Sequence, residues 1–274
     1  MRTAITFLAA ALVLPLTAQL LTAEQAVQVA LEHNHGIRLA KLDARTSELM
    51  NNIGNAGMLP TVDANGVYSL DNSSTKQTFF SGDVREADNA DQRVLDAAVQ
   101  LNWTVFDGLA MFAAKDRLEA LELIGRTQLR QRIEATTYEV LAAYYQLVQL
   151  RKAIAVQQEG VRVSRERLRI TGTGARIGTA SGLHLVQARL DLSTDSALVL
   201  DLHVQEAAAT TRLNALMGRA PSTSMEVAAE VPASEPLDLA RIQEAARQAN
   251  SAVQQARQQQ LAAYLSVMEM RGTL

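Results

Sequence analysis

At 274 residues, with 48% hydrophobic but only 4% aromatic side chains, the chain has room for one or two domains, and its Ala/Leu/Gln richness favours helix packed on helix over a compact enzyme core. A net charge of -3, with no basic patch standing out, argues against nucleic acid as a partner. The absence of cysteine excludes a disulfide scaffold, a thiolate metal centre and a lipid-bearing N-terminal cysteine.

Residues 1–19, "MRTAITFLAAALVLPLTAQ", read as a secretory signal peptide removed on maturation. Arg2 supplies the positive start, Ala4 to Leu16 the apolar stretch, and Thr17 and Ala18 the small residues. No later run reaches the roughly 18 apolar residues of a membrane helix, so any entry into a membrane must be by strands.

A helix is expected from Thr22, its cap, to about Gly57, with Ala26, Ala30, Ile37 and Ala40 at helical spacing and Pro60 as the stop. The period then changes to two. Pro60, Val62, Ala64, Gly66, Tyr68 and Leu70 share one face of a strand over 60–70, opposite Thr61, Asp63, Asn65 and Ser69, with Val67 the exception. A polar loop is expected over Asp71–Arg93. A second strand follows over 95–105, with Leu95, Ala97, Val99, Leu101, Trp103 and Val105 on one face and Asp96, Ala98, Gln100, Asn102 and Thr104 on the other. Each run has about the 9–11 residues that carry a strand across a bilayer, and the apolar row is the candidate lipid face. A soluble hairpin with one wet face shows the same alternation. Tyr68 and Trp103 suit a membrane interface, and Phe79 and Phe80 an anchor in the loop.

From Asp107 to about Thr171 there is no proline. Leu129, Ile133, Thr136, Val140, Ala143, Leu147, Leu150, Ile154, Gln157 and Val161 step 4-3-4-3, a heptad seam widened by Leu141, Tyr144, Tyr145 and Val148. Such a helix would be roughly 97 Å long. Thr171-Gly172-Thr173-Gly174 is expected to end it, and Ser181 to cap a second long helix over 183–217 whose seam is Val186, Leu190, Ala197, Leu200, Val204 and Ala207. Gly218 and Pro221 stop that helix, and residues 219–237 read as a linker.

After the linker the opening pattern returns. Ala30, Asn34, Ile37 and Ala40 recur as Ala246, Asn250, Val253 and Ala256, offset by 216, and Leu21 as Leu237. "LPTVDANG" (59–66) is echoed by "LSVMEMRG" (265–272), so a third strand is expected from about Met268. On this reading residues 238–274 open a second repeat, and the chain is the first half of a longer protein.

Catalytic chemistry is not expected. His33 and His35 are two residues apart, on opposite faces of a helix rather than a metal pair. His203 stands alone, and Ser181 with His184 lacks a third member. "GTGARIG" follows a helix and lacks the P-loop Lys-Ser/Thr pair. No cofactor and no metal are expected.

In this order the segments resemble the TolC-like outer membrane efflux protein family. "LTAEQAVQVALEHN" resembles the family's opening helix and "LNWTVFDGL" its strand-exit motif. "ARIGTASGLHLVQAR" resembles its helix-tip signature and "LNALMG" the end of its second long helix. The resemblance implies a mainly α fold with a β-hairpin: a long α-helical coiled-coil hairpin, part of an α-barrel, joined to transmembrane β-barrel strands. It further implies a homotrimer in the bacterial outer membrane, with its helices in the periplasm. This would be a passive export duct for tripartite efflux or type I secretion, working with a periplasmic adaptor and an inner-membrane pump. Arg176, Gly178, Thr179, Ala180 and Ser181 match the tip that meets the adaptor. His184 departs from the family, which usually has Asp there to close the capping box and narrow the tunnel mouth. Either the gate differs here, or His184 faces solvent to no effect. The alternatives are a soluble periplasmic coiled-coil adaptor, which would need a small β-barrel segment flanking its hairpin, and a truncated, non-functional remnant.

Overall fold

A computed structural model describes residues 20–231 and 236–272; the signal peptide expectation falls outside them. The elements are α1 (Ala23–His33), α2 (His35–Met50), β1 (Thr61–Thr78), β2 (Val84–Asn102), α3 (Ala110–Arg176), α4 (Gly182–Leu216), α5 (Leu239–Ala249) and α6 (Ser251–Gly272).

The expected opening helix is two helices. Thr22 caps α1 in a complete capping box with Gln25. At Asn34 the backbone turns extended (ψ 124°), and the Asn34 side chain accepts from the Ile37 N–H at 3.1 Å, restarting the helix. Apolar spacing is blind to this break, because Ala30 and Ile37 stay two turns apart across it. His33 and His35 therefore flank a break rather than share a helix. Gly54 and Gly57 lie beyond the end of α2, in turns, and Pro60 directly precedes β1.

The chain divides into two compact units, and α2, α3 and α6 each have residues in both. The first comprises the chain up to Asp43 together with Gln128–Ser251. Its core joins Ala23, Ala26 and Ala30 of α1 to Val140, Tyr144 and Leu147 of α3 and to Leu213 and Met217 at the end of α4. The buried Tyr144 hydroxyl lies 2.8 Å from the Leu21 carbonyl and 3.1 Å from that of Ala228. Leu21 pairs in parallel with Val227, donating to Glu226 at 2.8 Å and accepting from Ala228 at 3.0 Å. Part of the expected linker is thus packed into the core. Gly218, at φ 67°, ends α4 as expected.

All ten expected seam residues of α3 are buried or half-buried. The seam expected on α4 is not the covered one: Val186, Leu190, Ala197, Leu200, Val204 and Ala207 are all exposed. The covered row is Leu185, Ala188, Leu192, Asp195, Val199, Leu202, Glu206, Ala209 and Leu213, also stepping 3-4. Hydrophobicity alone favours the wrong row, because the true one contains two acids. α3 satisfies both: Arg151 donates to Glu206 at 2.9 Å, and Ser164 donates to Asp195.

The second unit comprises Ala44–Thr127 and Ala252–Leu274. Here β1 and β2 form a two-stranded antiparallel ribbon. Both strands are longer than expected. The polar stretch Asp71–Arg93 is mostly strand, turning over 79–83, because in a hairpin the ladder satisfies the backbone whatever the side chains are. Trp103 and Val105 fall past the end of β2, and the Trp103 indole donates to the Met58 carbonyl at 3.4 Å. Ala120, Ile124 and Ala262 form a small core, and Arg117 pairs with Glu269 at 2.6 Å.

α5 reproduces both bounds of α1, and α6 the start of α2, at a constant offset of 216 (23 to 239, 33 to 249, 35 to 251), while α6 runs on past the point that corresponds to the end of α2. The caps correspond too. The backbone N–H of Asn34 donates to Ala30 and that of Asn250 to Ala246. The expected third strand is absent among the described residues: Met268 to Gly272 are helical, and Thr273 and Leu274 lie outside them.

Candidate functional site

Two places combine exposure with specific geometry: the turn joining α3 to α4, and one face of the ribbon.

α3 continues past Gly172 and Gly174, which sit inside it rather than ending it. The stop is Gly178, at φ 81°, with open space where a Cβ would be. The Gly174 carbonyl accepts from the N–H groups of Thr179 at 2.8 Å and Ala180 at 3.1 Å, and from the Thr179 hydroxyl at 3.2 Å. A Cβ on Gly174 would sit 3.1 Å from that of Ala180, so a small residue there lets the turn fold back. Ser181 caps α4 as expected, its hydroxyl accepting from the His184 N–H at 3.3 Å. With His at this position no carboxylate returns to the Ser181 N–H, and the capping box is half made. Arg176, Gly178, Thr179 and Ser181 are exposed and Ala180 half-exposed.

Just inside the turn, α3 and α4 bound a groove of about 470 Å³. Arg167, Thr171 and Gly174 line one side and His184, Gln187 and Asp191 the other. Arg167 reaches Asp191 at 3.5 Å, and Gln187 donates to the same carboxylate at 2.8 Å. Sequence reading missed this polar set. Its signal is symmetry: Arg151–Glu206, Ser164–Asp195 and Arg167–Asp191 each straddle the turn within one residue of position 179. Along α3, the Arg162 hydrogen bond holds the Glu159 carboxyl below its ordinary value, and Arg169 does the same for Glu166.

In the ribbon the register is decisive. Val62 pairs with Leu101, Ala64 with Val99, Gly66 with Ala97 and Tyr68 with Leu95, so the two apolar rows form one continuous face. Asp63 pairs with Gln100 and Asn65 with Ala98 on the other face. Beyond Leu70 and Arg93 both faces are mainly polar, broken by Val84, Ala87 and Ala90, up to the turn at Phe79 and Phe80. Among the described residues no helix is long and apolar enough to cross a membrane, and no group of three or more His, Asp or Glu is placed to hold a metal ion.

The family model of outer membrane efflux proteins matches residues 26–219. Among solved structures the fold resembles the outer-membrane channel OprN, at 19% identity and TM-score 0.68, over 92% of this chain and 54% of that one. It also resembles VceC of Vibrio cholerae, at 14% identity and TM-score 0.65, over 91% and 58% respectively. The open-state MtrE channel of Neisseria gonorrhoeae is similar at 15% identity and TM-score 0.64, over 92% and 54%. The chain spans about half the length of these channels. A sequence search of curated proteins finds no match. The TolC-like helical hairpin with its β-ribbon, and a family match over most of the described chain, show that this chain belongs to the outer membrane efflux protein family.

Proposed function

We propose that the chain contributes a β-ribbon and a helical hairpin to a passive export duct of the outer membrane, assembled as a homotrimer. The hairpin stands in the periplasm, meets an adaptor protein at Arg176, Gly178, Thr179, Ala180 and Ser181, and through it serves an inner-membrane pump in tripartite efflux or type I secretion. His184 lies just inside the mouth. The observation that carries this reading is the register Val62–Leu101, Ala64–Val99, Gly66–Ala97 and Tyr68–Leu95. It gathers the apolar side chains of about ten residues per strand onto one exposed face. At roughly 3.3 Å per residue that face matches a hydrocarbon core of about 30 Å. An isolated ribbon gains nothing by presenting that face to water, whereas a barrel wall presents it to lipid. The exposed heptad row on α4 supports assembly in the same way, since it offers a second helix-packing seam on the side of α4 turned away from α3. The shared bounds of α1 and α5, and the shared start of α2 and α6, support reading residues 238–274 as the opening of a second repeat. The test is fractionation of the native host. Recovery in the outer membrane as a heat-modifiable trimer is expected; recovery in the soluble periplasm overturns the proposal.

A further inference from the structure

We infer that the end of the hairpin carries an arginine face that docks an acidic helical partner. This names the chemistry of the partner and rests on the reading of the hairpin as part of a duct wall. The chain is acidic overall, yet residues 159–191 hold six arginines and three acids. Each acid is engaged: Glu159 with Arg162, Glu166 with Arg169, and Asp191 with Arg167. Arg165, Arg176 and Arg189 are exposed and form no ion pair among the described residues.

These charges are arranged, not scattered. Steps of three or four keep side chains on one helix face, and a step of two turns a side chain about 200° away. Arg162, Arg165, Arg169 and Arg176 fall in one row at heptad spacing, interrupted only by Gly172. Arg165 and Arg169 are each two residues from Arg167, and Arg176 is two from Gly174; both Arg167 and Gly174 line the groove. Arg189 is likewise two residues from Gln187, another groove residue. All three unpaired arginines therefore lie on the side of the hairpin away from the groove. A separate exposed row on α3, Val156, Val163, Ile170 and Ile177, supplies an apolar seam for a neighbouring helix. The arginine row is thus left free by lateral packing. Guanidinium groups at heptad spacing are complementary to carboxylates at the same spacing on another helix, where each can be bound bidentately.

The test uses the full chain and a designed two-helix hairpin peptide bearing Glu at heptad-spaced surface positions, with Gln and Lys versions and a single-stranded oligonucleotide for comparison. The Glu hairpin is expected to bind, and its Kd to weaken about ten-fold or more in R165A/R176A/R189A. A similar loss is expected on raising salt from about 50 to about 300 mM. R165K/R176K/R189K should bind more weakly than the parent but more tightly than the alanine triple, since the charge is kept and the bidentate fork is lost, and the charge-matched control R38A/R212A/R241A should stay within about three-fold. Unchanged binding by the tip triple, or equal binding of the Gln hairpin, overturns the inference. So does an oligonucleotide that binds as tightly as the Glu hairpin, because the face would then be a general polyanion surface. Fractionation of the same variants separates the two readings. Acid-hairpin binding by a protein recovered in the soluble periplasm would remove the duct and leave the docking face. A trimer in the outer membrane that ignores the Glu hairpin would do the reverse.

Discussion

The side-chain amide of Asn34 donates to the Leu216 carbonyl at 2.7 Å while its oxygen accepts from the Ile37 N–H at 3.1 Å. One buried side chain thereby ends α1, begins α2 and ties both to the last turn of α4. Asn34→Leu strips the cap from α2 and leaves a buried carbonyl unpaired. It should cost about 2–4 kcal/mol. Asn34→Asp keeps the acceptor but turns the donor into a second acceptor facing Leu216, so it should lose the α4 tie while α2 stays helical. Urea unfolding with far-UV circular dichroism separates the two.

Gly218 completes the same junction from the other side. It sits at φ 67°, and a Cβ there would lie 2.4 Å from the His33 carbonyl oxygen. Gly178 has a similar φ of 81° but open surroundings. Gly178→Ala should therefore cost only about 1 kcal/mol, from the left-handed backbone alone. Gly218→Ala adds a clash with backbone and should cost about 2–4 kcal/mol. Equal losses in thermal unfolding would show that the approach of α1 to α4 is not tight.

Tyr144 couples the core to alkaline pH. Burial pushes its phenol above the ordinary value, outweighing a backbone hydrogen bond at Ala228 that pulls it down. The folded state thus holds the phenolic proton more tightly than the unfolded chain. The resulting stability is fully present below an unfolded value of about 10 and is lost as pH rises through the folded value. Tyr144→Phe should cost about 1–2 kcal/mol near neutrality, because the Ala228 carbonyl loses the hydroxyl donor, while the Leu21 carbonyl keeps the Ala228 N–H. It should also flatten the alkaline limb of the stability curve. A limb of unchanged steepness would assign the alkaline loss to other groups.

At the turn, Ser181→Ala should remove about 0.5–2 kcal/mol of local helix stability through the lost cap. His184→Glu should complete the capping box and place an anion, rather than imidazole, in the first turn of α4, adding about 0.3–1 kcal/mol. Hydrogen exchange of the first α4 amides measures both. If His184→Glu leaves protection unchanged, the side chain at this position takes no part in the cap.

Long periodic signals and local helix-end rules are legible in the sequence, and devices that depend on a distant partner are not. The α3 seam stands out because Val140, Ala143 and Leu147 repeat without interruption, and Ser181 and Gly218 act through local rules that read directly. The break at Asn34 does not show, because its effect depends on a carbonyl 182 residues away. The α4 seam was misread because Asp195 and Glu206 look solvated until Ser164 and Arg151 are brought opposite them. The outer half of the ribbon was missed because its side chains are mainly polar on both faces, and pairing there comes from backbone alone.

The two faces of the ribbon give the sharpest test of the membrane reading. Val99 and Gln100 are adjacent, both exposed, and paired with Ala64 and Asp63 respectively, on opposite faces of the ribbon. If the apolar face meets lipid, Val99→Arg near the midplane should destabilise the inserted barrel by about 2–4 kcal/mol, while Gln100→Arg, facing the lumen, should cost about 1 kcal/mol or less. Ala64→Arg should behave like Val99→Arg, because the register puts it on the same patch. Leu101→Arg, two pairs nearer the strand end, should be milder as it approaches the interface. The comparison is made on the heat-modifiability of the outer-membrane trimer, which reports the barrel rather than the helices. Equal sensitivity at Val99 and Gln100 would mean that both faces see the same medium. The ribbon would then be a solvated hairpin and the duct reading would fall.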